Sequence, residues 1–543
     1  MFRPGLLPSV ALALLGVGSI VNAQSNTING LDVKLGEVKS LTALGRTGTY
    51  PNGVNGLAMT TTSCNVGTVN VPWLAAMQEN HPFIAFLIGK DRGGRFFQIS
   101  DYSYCKHGFF ALSNSQCTPC QNPSGGTFLG VGCSDTYSTG NNGDNFWLGP
   151  PGEINPFLGT WTAACSHFDK GEPAVGSPQD CDGVRSLTSG QASALGSVGH
   201  RIRVEDGDFA IPGDFYYQGY YVVRSEAENK RGDNIGSRKF TPTWNGNSWG
   251  ISTTDAGPTY GSILQRWSGA TVTSNTNGAD DGRVYVGVKV TGPTNGIYHY
   301  EYAIHNRDNS RGVGGFRLPI SQCTTITNFG FRDIDDDANN NWSMTQSATE
   351  LTVSTTNNPI RWNSFYNIFF DSNAAPVSGA VSLDQFAAGA GASFFDVTTT
   401  IPGNLPFSNF GIGTPGCDGE HHICANSAPF IGNANFQLRC DNAPASTLGL
   451  GIVSDVAIVG GLDAFGLGFI TYNDFALSTE LLTFDFFSDA NGLGIAPAPI
   501  NNDVNLVGLT FYANALWVWT GQCPPPSPLG ISSSNAVAIT ITN

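Results

Sequence analysis

Residues 283–305 read RVYVGVKVTGPTNGIYHYEYAIH, and the reading of this stretch decides the fold. From Arg283 to Val290 the chain alternates strictly: Val284, Val286, Val288 and Val290 point one way, and Arg283, Tyr285, Gly287 and Lys289 the other. A sustained period of two marks a half-buried strand. After the turn-rich run Thr291–Gly296, Tyr298, Tyr300, Tyr302 and Ile304 share one face, and His299, Glu301 and His305 the other. Valines then sit opposite tyrosines, in a pairing such as Val288 with Tyr300 or Tyr298 and never with His299, because a one-residue slip turns every side chain to the wrong face. The polar side, with Arg283, Lys289, His299, Glu301 and His305, is either a solvated sheet face carrying cross-strand charge pairs or a site.

Working outward, the same pattern runs through residues 200–406. Ile202 to Val204, Tyr216 to Val223, Ile326 to Phe331, Leu351 to Ser354, Ile360 to Phe370 and Phe394 to Thr399 read as short strands between turns, which predicts a central antiparallel β-sandwich. A Gly/Pro linker is expected over 407–416, ending in Gly411-Ile-Gly-Thr-Pro-Gly416. Residues 417–543 show strands again and read as a C-terminal β-sandwich. Residues 24–199 hold seven of the twelve cysteines and read as a cysteine-rich domain that depends on crosslinks, with Val71 to Met77 and Phe83 to Ile88 as strands or short buried elements. The fold class expected is all-β: a cysteine-rich N-terminal domain followed by two antiparallel β-sandwich domains.

Residues 1–23 have the form of a signal peptide: Arg3, an apolar run from Val10 to Val21, and the small-residue ending Val21-Asn22-Ala23. Cleavage near Ala23 and a secreted or cell-surface location follow. Twelve cysteines, an even number in an exported chain, read as disulfides. No later apolar run approaches the length of a membrane helix, so no transmembrane segment is expected in the mature chain. A net charge of −16 with only 13% charged residues argues against nucleic acid as a partner, since phosphate recognition needs clustered Lys and Arg. The partner expected is an extracellular polymer or surface component.

The tail carries Gly413-Thr-Pro-Gly-Cys417, Asn433-Ala-Asn-Phe-Gln-Leu-Arg-Cys440, Leu448-Gly-Leu-Gly-Ile452, Asn505-Leu-Val-Gly-Leu-Thr-Phe-Tyr512 and Pro528-Leu-Gly-Ile-Ser532. It resembles a C-terminal β module common to uncharacterised multidomain secreted bacterial proteins. The middle, with Tyr300-Glu-Tyr-Ala-Ile-His-Asn306, Gly315-Phe-Arg-Leu-Pro319 and Trp362-Asn-Ser-Phe-Tyr366, resembles segments of large exported proteins. The resemblance implies no activity and no catalytic residue. For the tail it implies a disulfide between Cys440 and Cys523, which leaves Cys417 near Cys424 as a second expected pair.

Calcium is the cofactor expected, at two acidic loops. Asp333, Asp335, Asp337 and Asn339 stand at every second residue, a spacing by which a looped backbone turns oxygen ligands onto one hard cation; Ala338 and Met344, where an EF-hand has Gly and Glu, rule that motif out. Asn275, Asn277, Asp280 and Asp281 form the second loop. Cys105, His107, Cys117, Cys120 and Cys133, with Cys165 and His167, have spacing suited to zinc or copper, although an oxidising compartment turns such thiols into disulfides. His299 and His305 lie about 20 Å apart along a strand, at roughly 3.3 Å per residue, too far to share an ion. Glu420-His421-His422 is a further polar group.

Gly246-Asn-Ser248-Trp-Gly250 matches G-x-S-x-G but lacks the strand before and helix after that a nucleophile elbow needs. Glu205, Asp206, Asp208, Glu226 and Glu228 supply carboxylates without designating an acid/base pair. Tyr216, Tyr217, Tyr220, Tyr221, Trp244, Trp249 and Trp267 are candidates for stacking on sugars, set against the packing role of aromatics in a sandwich core. The function these features favour is a binding or structural protein that takes carbohydrate or calcium. A secreted hydrolase of polysaccharide or another polymer, and a copper or zinc enzyme using the N-terminal Cys/His cluster, are the alternatives.

Overall fold

The computed structural model describes residues 27–171, 180–277, 282–321, 323–335, 337–347, 349–403, 407–463, 466–520 and 527–543; the expected signal peptide lies outside them. The chain is all-β, with several antiparallel sheets and disulfides in its N-terminal region.

In the first sandwich, one sheet is built on the strand Val54–Asn65, with Val33–Thr47 along one edge and Ser134–Tyr137 and Ile202–Glu205 along the other. The facing sheet runs Trp249–Thr253, Ile235–Trp244, Asp214–Val222, Phe83–Arg92, Cys105–His107 and Leu148–Gly149. Leu35, Val38, Leu57, Met59, Ile84, Phe86, Ile88, Tyr217 and Tyr221 fill the space between them. The expected boundary at 199–200 runs through this sandwich, because strands on either side of it pair in both sheets: Ile202 with Leu57, and Tyr217 with Ile88. Phe83–Lys90 is buried on both faces, which is why Phe83 to Ile88 reads as an unbroken apolar run.

The second sandwich packs the sheet Thr271–Asn275, Val284–Thr294, Ile297–Asn306, Ser364–Ser372, Ile326–Arg332 on the sheet Ser343–Gln346, Glu350–Ser354, Val313–Pro319, Pro376–Gln385, Phe394–Pro402. Its core takes Val284, Val286, Val288, Tyr300, Tyr302 and Ile304 from the hairpin, as the alternation requires. The register differs by two residues from the expected one: Val288 faces Tyr302 and Val290 faces Tyr300. The strands continue to Thr294 and from Ile297, so the turn is only Asn295-Gly296, both with positive φ (52° and 77°). That turn sets Thr294 opposite Ile297, and an irregularity between Thr291 and Thr294 shifts the rest of the ladder by one residue, which puts Val288 on Tyr302.

In the third unit eight strands form one sheet, in the order Phe407–Phe410, Ile531–Thr540, Thr510–Val518, Leu448–Ser454, Leu481–Ser488, Gly494–Pro497, Gln437–Cys440, Ile423–Ala425. The sheet folds back on itself, so that the Ile423 N–H donates to Asn535 Oδ1 at 2.9 Å, and it encloses Leu438, Phe486, Trp517 and Val537. Residues 407–410 of the expected linker are therefore an edge strand, paired with 536–539.

The tail disulfides differ from expectation. Cys424 pairs with Cys323 of the second sandwich and not with Cys417. Cys440 is a free, buried thiol and is not joined to Cys523, a residue outside those described. The strand Gln437–Cys440 turns Cys440 into the core, where Trp517 Nε1–H points at its Sγ from 3.3 Å. Cys417 is disulfide-bonded.

Candidate functional site: a polar seam and the cleft beside it

The polar face of the central hairpin is neither solvated nor bare. It is packed against the first sandwich, with Leu87, Phe96, Tyr216, Ile263, Leu264 and Trp267 on one side and Tyr285, Ala303 and Phe365 on the other. Gly287 permits the approach: a Cβ there would meet the Trp267 ring at 3.2 Å. His305 is fully buried, bonded through Nδ1 to Ser262 Oγ at 2.7 Å. Burial, with Arg307 nearby, pushes its pKa down to about 3 against the pull of Asp308.

Asparagines stitch this seam to the backbone of the first sandwich. Asn363 Nδ2 donates to the Phe86 carbonyl at 2.9 Å, Asn367 Nδ2 to the Phe96 carbonyl at 2.8 Å, and the Phe365 N–H to Gln98 Oε1 at 3.0 Å. At one end lies a buried charge cluster. Asp308 accepts from Arg307 Nε (3.0 Å), an Arg231 terminal nitrogen (3.2 Å), Tyr220 OH (3.2 Å) and the Arg283 N–H (2.7 Å). Glu228 takes Arg283 and Arg307 at 2.7 and 2.8 Å. Burial alone raises the Asp308 pKa, but Arg307 and Arg231 outweigh it and hold it below the ordinary value. At the other end, Glu301 binds Arg95 through Nε at 2.8 Å, and His299 lies between Glu301 (2.9 Å) and Asp371 (2.6 Å).

Beside the seam, a cavity of about 470 Å³ opens between the two sandwiches. The first contributes Gln98, Asp101, Arg203, Glu205 and Asp208, and the second Arg332, Ile334 and Asp335. Asp101 accepts from Ser103 Oγ at 2.9 Å and from the Arg203 N–H at 3.2 Å. Partial burial raises its pKa beyond what these donors offset. The Arg332 guanidinium stacks on Phe97 at 4.2 Å. Carboxylates and guanidinium groups around one hollow can exchange hydrogen bonds with a ligand rich in hydroxyl groups.

The predicted carboxylates separate into distinct roles. Glu205 and Asp208 reach the cleft. Asp206 is buried under Arg46 and Trp249 Nε1, Glu226 accepts from the Val33 N–H at 2.6 Å, and Glu228 belongs to the seam.

In the 333–339 loop each acid caps the backbone two residues on: Asp333 Oδ1 takes the Asp335 N–H (3.1 Å), Asp335 that of Asp337 (2.9 Å), and Asp337 that of Asn339 (3.0 Å). This is a run of Asx turns. Among the described residues its carboxylates do not gather into one group. Asn275 donates to the Asp396 carbonyl at 2.8 Å. Asn277 ends the described part of its loop, and Asp280 and Asp281 lie outside the described residues.

The N-terminal thiols are oxidised as Cys64–Cys117, Cys120–Cys133 and Cys165–Cys181, so they offer no thiolate to zinc or copper; Cys105 is free and buried. His107 is bonded to His81 at 3.0 Å inside an aromatic box of Phe83, Trp161 and Phe168. Ser248 sits in the turn of a hairpin, Ile235–Trp244 to Trp249–Thr253, bonded to Asn245. His421 is buried, with Nε2 at 2.7 Å from Ser532 Oγ. Tyr216, Tyr217, Tyr220, Tyr221, Trp249 and Trp267 are buried, whereas Trp244 is half-buried and stacked on exposed Tyr50 at 4.6 Å.

Asp101, Arg203, Arg332 and Gln98 carry no local signal that singles them out. Asn367 does carry one, since it shares a face of the strand Ser364–Ser372 with Phe365, a polar residue beside an apolar one; Asn363 lies in the turn before that strand, with a φ of 55°.

No family model matches the chain, and no curated protein does. Among solved structures, it is similar to two crystal structures of BcpA, the major pilin subunit of Bacillus cereus. One is 9% identical, with 64% of this chain and 85% of that one covered and a TM-score of 0.18; the other is 10% identical, with 63% and 84% covered and a TM-score of 0.15. A third likeness is to Escherichia coli alpha-2-macroglobulin activated by porcine elastase, at 7% identity over 95% of this chain and 35% of that one, with a TM-score of 0.14. Scores this low carry no argument, and the reading of function rests on the chain's own residues.

Proposed function

We propose that this chain is a secreted or cell-surface binding and structural protein, and that the cleft between its first two sandwiches takes a saccharide-sized segment of an extracellular polymer. The observation that carries this reading is the 470 Å³ hollow with mixed donors and acceptors, held between two bodies that the buried seam keeps in fixed relation. Disulfides support an oxidising, extracellular setting. No described helix is long and apolar enough to cross a membrane. The test is retention of the full mature protein on a panel of insoluble polysaccharides, together with assay for released products. Retention that weakens at least tenfold in Arg203→Ala with Arg332→Ala supports the reading, and unchanged retention counts against the cleft.

A second reading, a secreted hydrolase, is favoured by one feature: Asp101 lines the cleft, where burial raises its pKa, the direction in which a general acid is tuned. Product release abolished by Asp101→Asn would replace the binding reading with this one.

A further inference from the structure

The Cys165–Cys181 disulfide brings two short segments together, and with them three carboxylates outside the cleft. One oxygen each from Asp169, Asp180 and Asp182 lies within 4.8 Å of the others. Asp169 belongs to the short helix His167–Lys170, and Asp180 and Asp182 flank Cys181. Asp169 is 5% exposed, while Asp180 and Asp182 are exposed. Its Oδ2 accepts from the Cys165 N–H at 2.7 Å and the Gly183 N–H at 3.2 Å, which fixes the carboxylate in place. Its Oδ1 is buried and has no hydrogen-bond partner among the described residues. Among the described residues, no ion pair reaches any of the three acids.

A buried carboxylate oxygen with no donor, beside two further carboxylates, is costly unless a positive charge completes it. Oxygens bound to one calcium at about 2.4 Å lie at most about 4.8 Å apart, and the three oxygens here fall within that limit. Hard cations prefer such an all-oxygen set, and calcium accepts irregular geometry with water filling the open positions, whereas magnesium demands a near-ideal octahedron.

We infer that Asp169, Asp180 and Asp182 form a calcium site that braces the Cys165–Cys181 loop. Asp169 Oδ1 is the buried ligand, and the two exposed acids close over the ion from the other segment. The site lies apart from the acidic loops at 275–281 and 333–339 and is independent of the cleft.

The experiment is equilibrium dialysis of the EDTA-stripped full mature chain against radioactive calcium, for the native sequence, for D180N/D182N and for D335N/D337N. The first pair alters only exposed side chains, and circular dichroism checks that its fold is kept. Calcium uptake is expected in the native chain, weakened at least tenfold in D180N/D182N and kept in D335N/D337N. A calcium-dependent rise in melting temperature should vanish in the first variant alone. Absence of uptake by the native chain, equal uptake by D180N/D182N, or loss of all uptake in D335N/D337N would each overturn the assignment.

Discussion

The two junctions between neighbouring sandwiches are made in opposite ways. The first and second bodies share a broad buried surface whose specificity is polar: Asn363 and Asn367 reach backbone carbonyls of Phe86 and Phe96, and Asp308 collects two guanidinium groups from opposite sides of the boundary. The second and third meet around a small apolar cluster of Cys323, Ala374, Phe407 and Cys424, locked by the Cys323–Cys424 disulfide. A polar seam demands that every partner be in place at once, because an unmatched buried group is penalised. A crosslink makes no such demand, and it tethers the two bodies directly. Loss of a single side-chain partner should therefore weaken the first junction, most where a buried charge is left unmatched, and the second should part on loss of the covalent bond.

The sharpest way to break this contrast is Asp308→Ala. Removing the shared carboxylate leaves Arg307 and Arg231 charged and buried, and a loss of about 3–5 kcal/mol is expected on urea unfolding. A loss below about 1 kcal/mol would show that the seam is not held by its charges.

Cys323→Ala with Cys424→Ala should cost about 2–4 kcal/mol, since the crosslink closes a loop of 101 residues. Limited proteolysis should then release the third unit while the first two remain together. Release of all three would contradict the comparison. Asn367→Ala, which strips one donor from the seam, should cost about 1–2 kcal/mol, with cooperative unfolding of the two sandwiches preserved.

The finest test separates two histidines on one strand. His305 has a lowered folded pKa of about 3, so the unfolded chain, near 6.5, binds the proton first. Its contribution is complete above about pH 6.5 and is lost as pH falls from there toward 3. His299 runs the other way: the bonds to Glu301 and then Asp371 raise its pKa against partial burial. Its contribution is complete below about pH 6.5 and fades as pH rises through the higher folded value. In an NMR titration the His305 ring should stay neutral from pH 7 to about 4, while His299 titrates above 6.5. Matching curves would mean that the two environments are alike.

Much of the fold was legible because it rests on local periodicity. The strict alternation over Arg283–Val290 and the tyrosines at 298, 300 and 302 put those side chains in the core as expected. The register could not be read as closely, because Thr291–Gly296 contains several turn formers and only the Asn295-Gly296 pair makes the bend. That residues on either side of 200 share one sandwich was hidden for a different reason. It depends on Phe83–Arg92 pairing with Asp214–Val222, and antiparallel partners so distant in sequence leave no trace in composition.

The candidate site was legible only in fragments. Glu205, Asp208 and Asp335 were named as carboxylates or ligands, but the hollow they share exists only once two sandwiches meet. The seam is hard to read in the sequence because a hairpin face with Lys289, His299 and Glu301 resembles a wetted surface. Gly287 and Ala303, both small and on that same face, were the sign that another body comes close.

The asparagine contacts across the seam have a bearing on how such a chain diversifies. Asn363 and Asn367 bond to main-chain oxygens, which every residue type supplies, and not to the side chains of Phe86 and Phe96. Substitution at either phenylalanine leaves the acceptor where it was. For these two contacts docking depends on strand path and not on side-chain identity, so a library of first sandwiches joined to a constant second one should keep them wherever that path is kept, while Gln98, Tyr220 and Arg231, which bond through their side chains, must be retained.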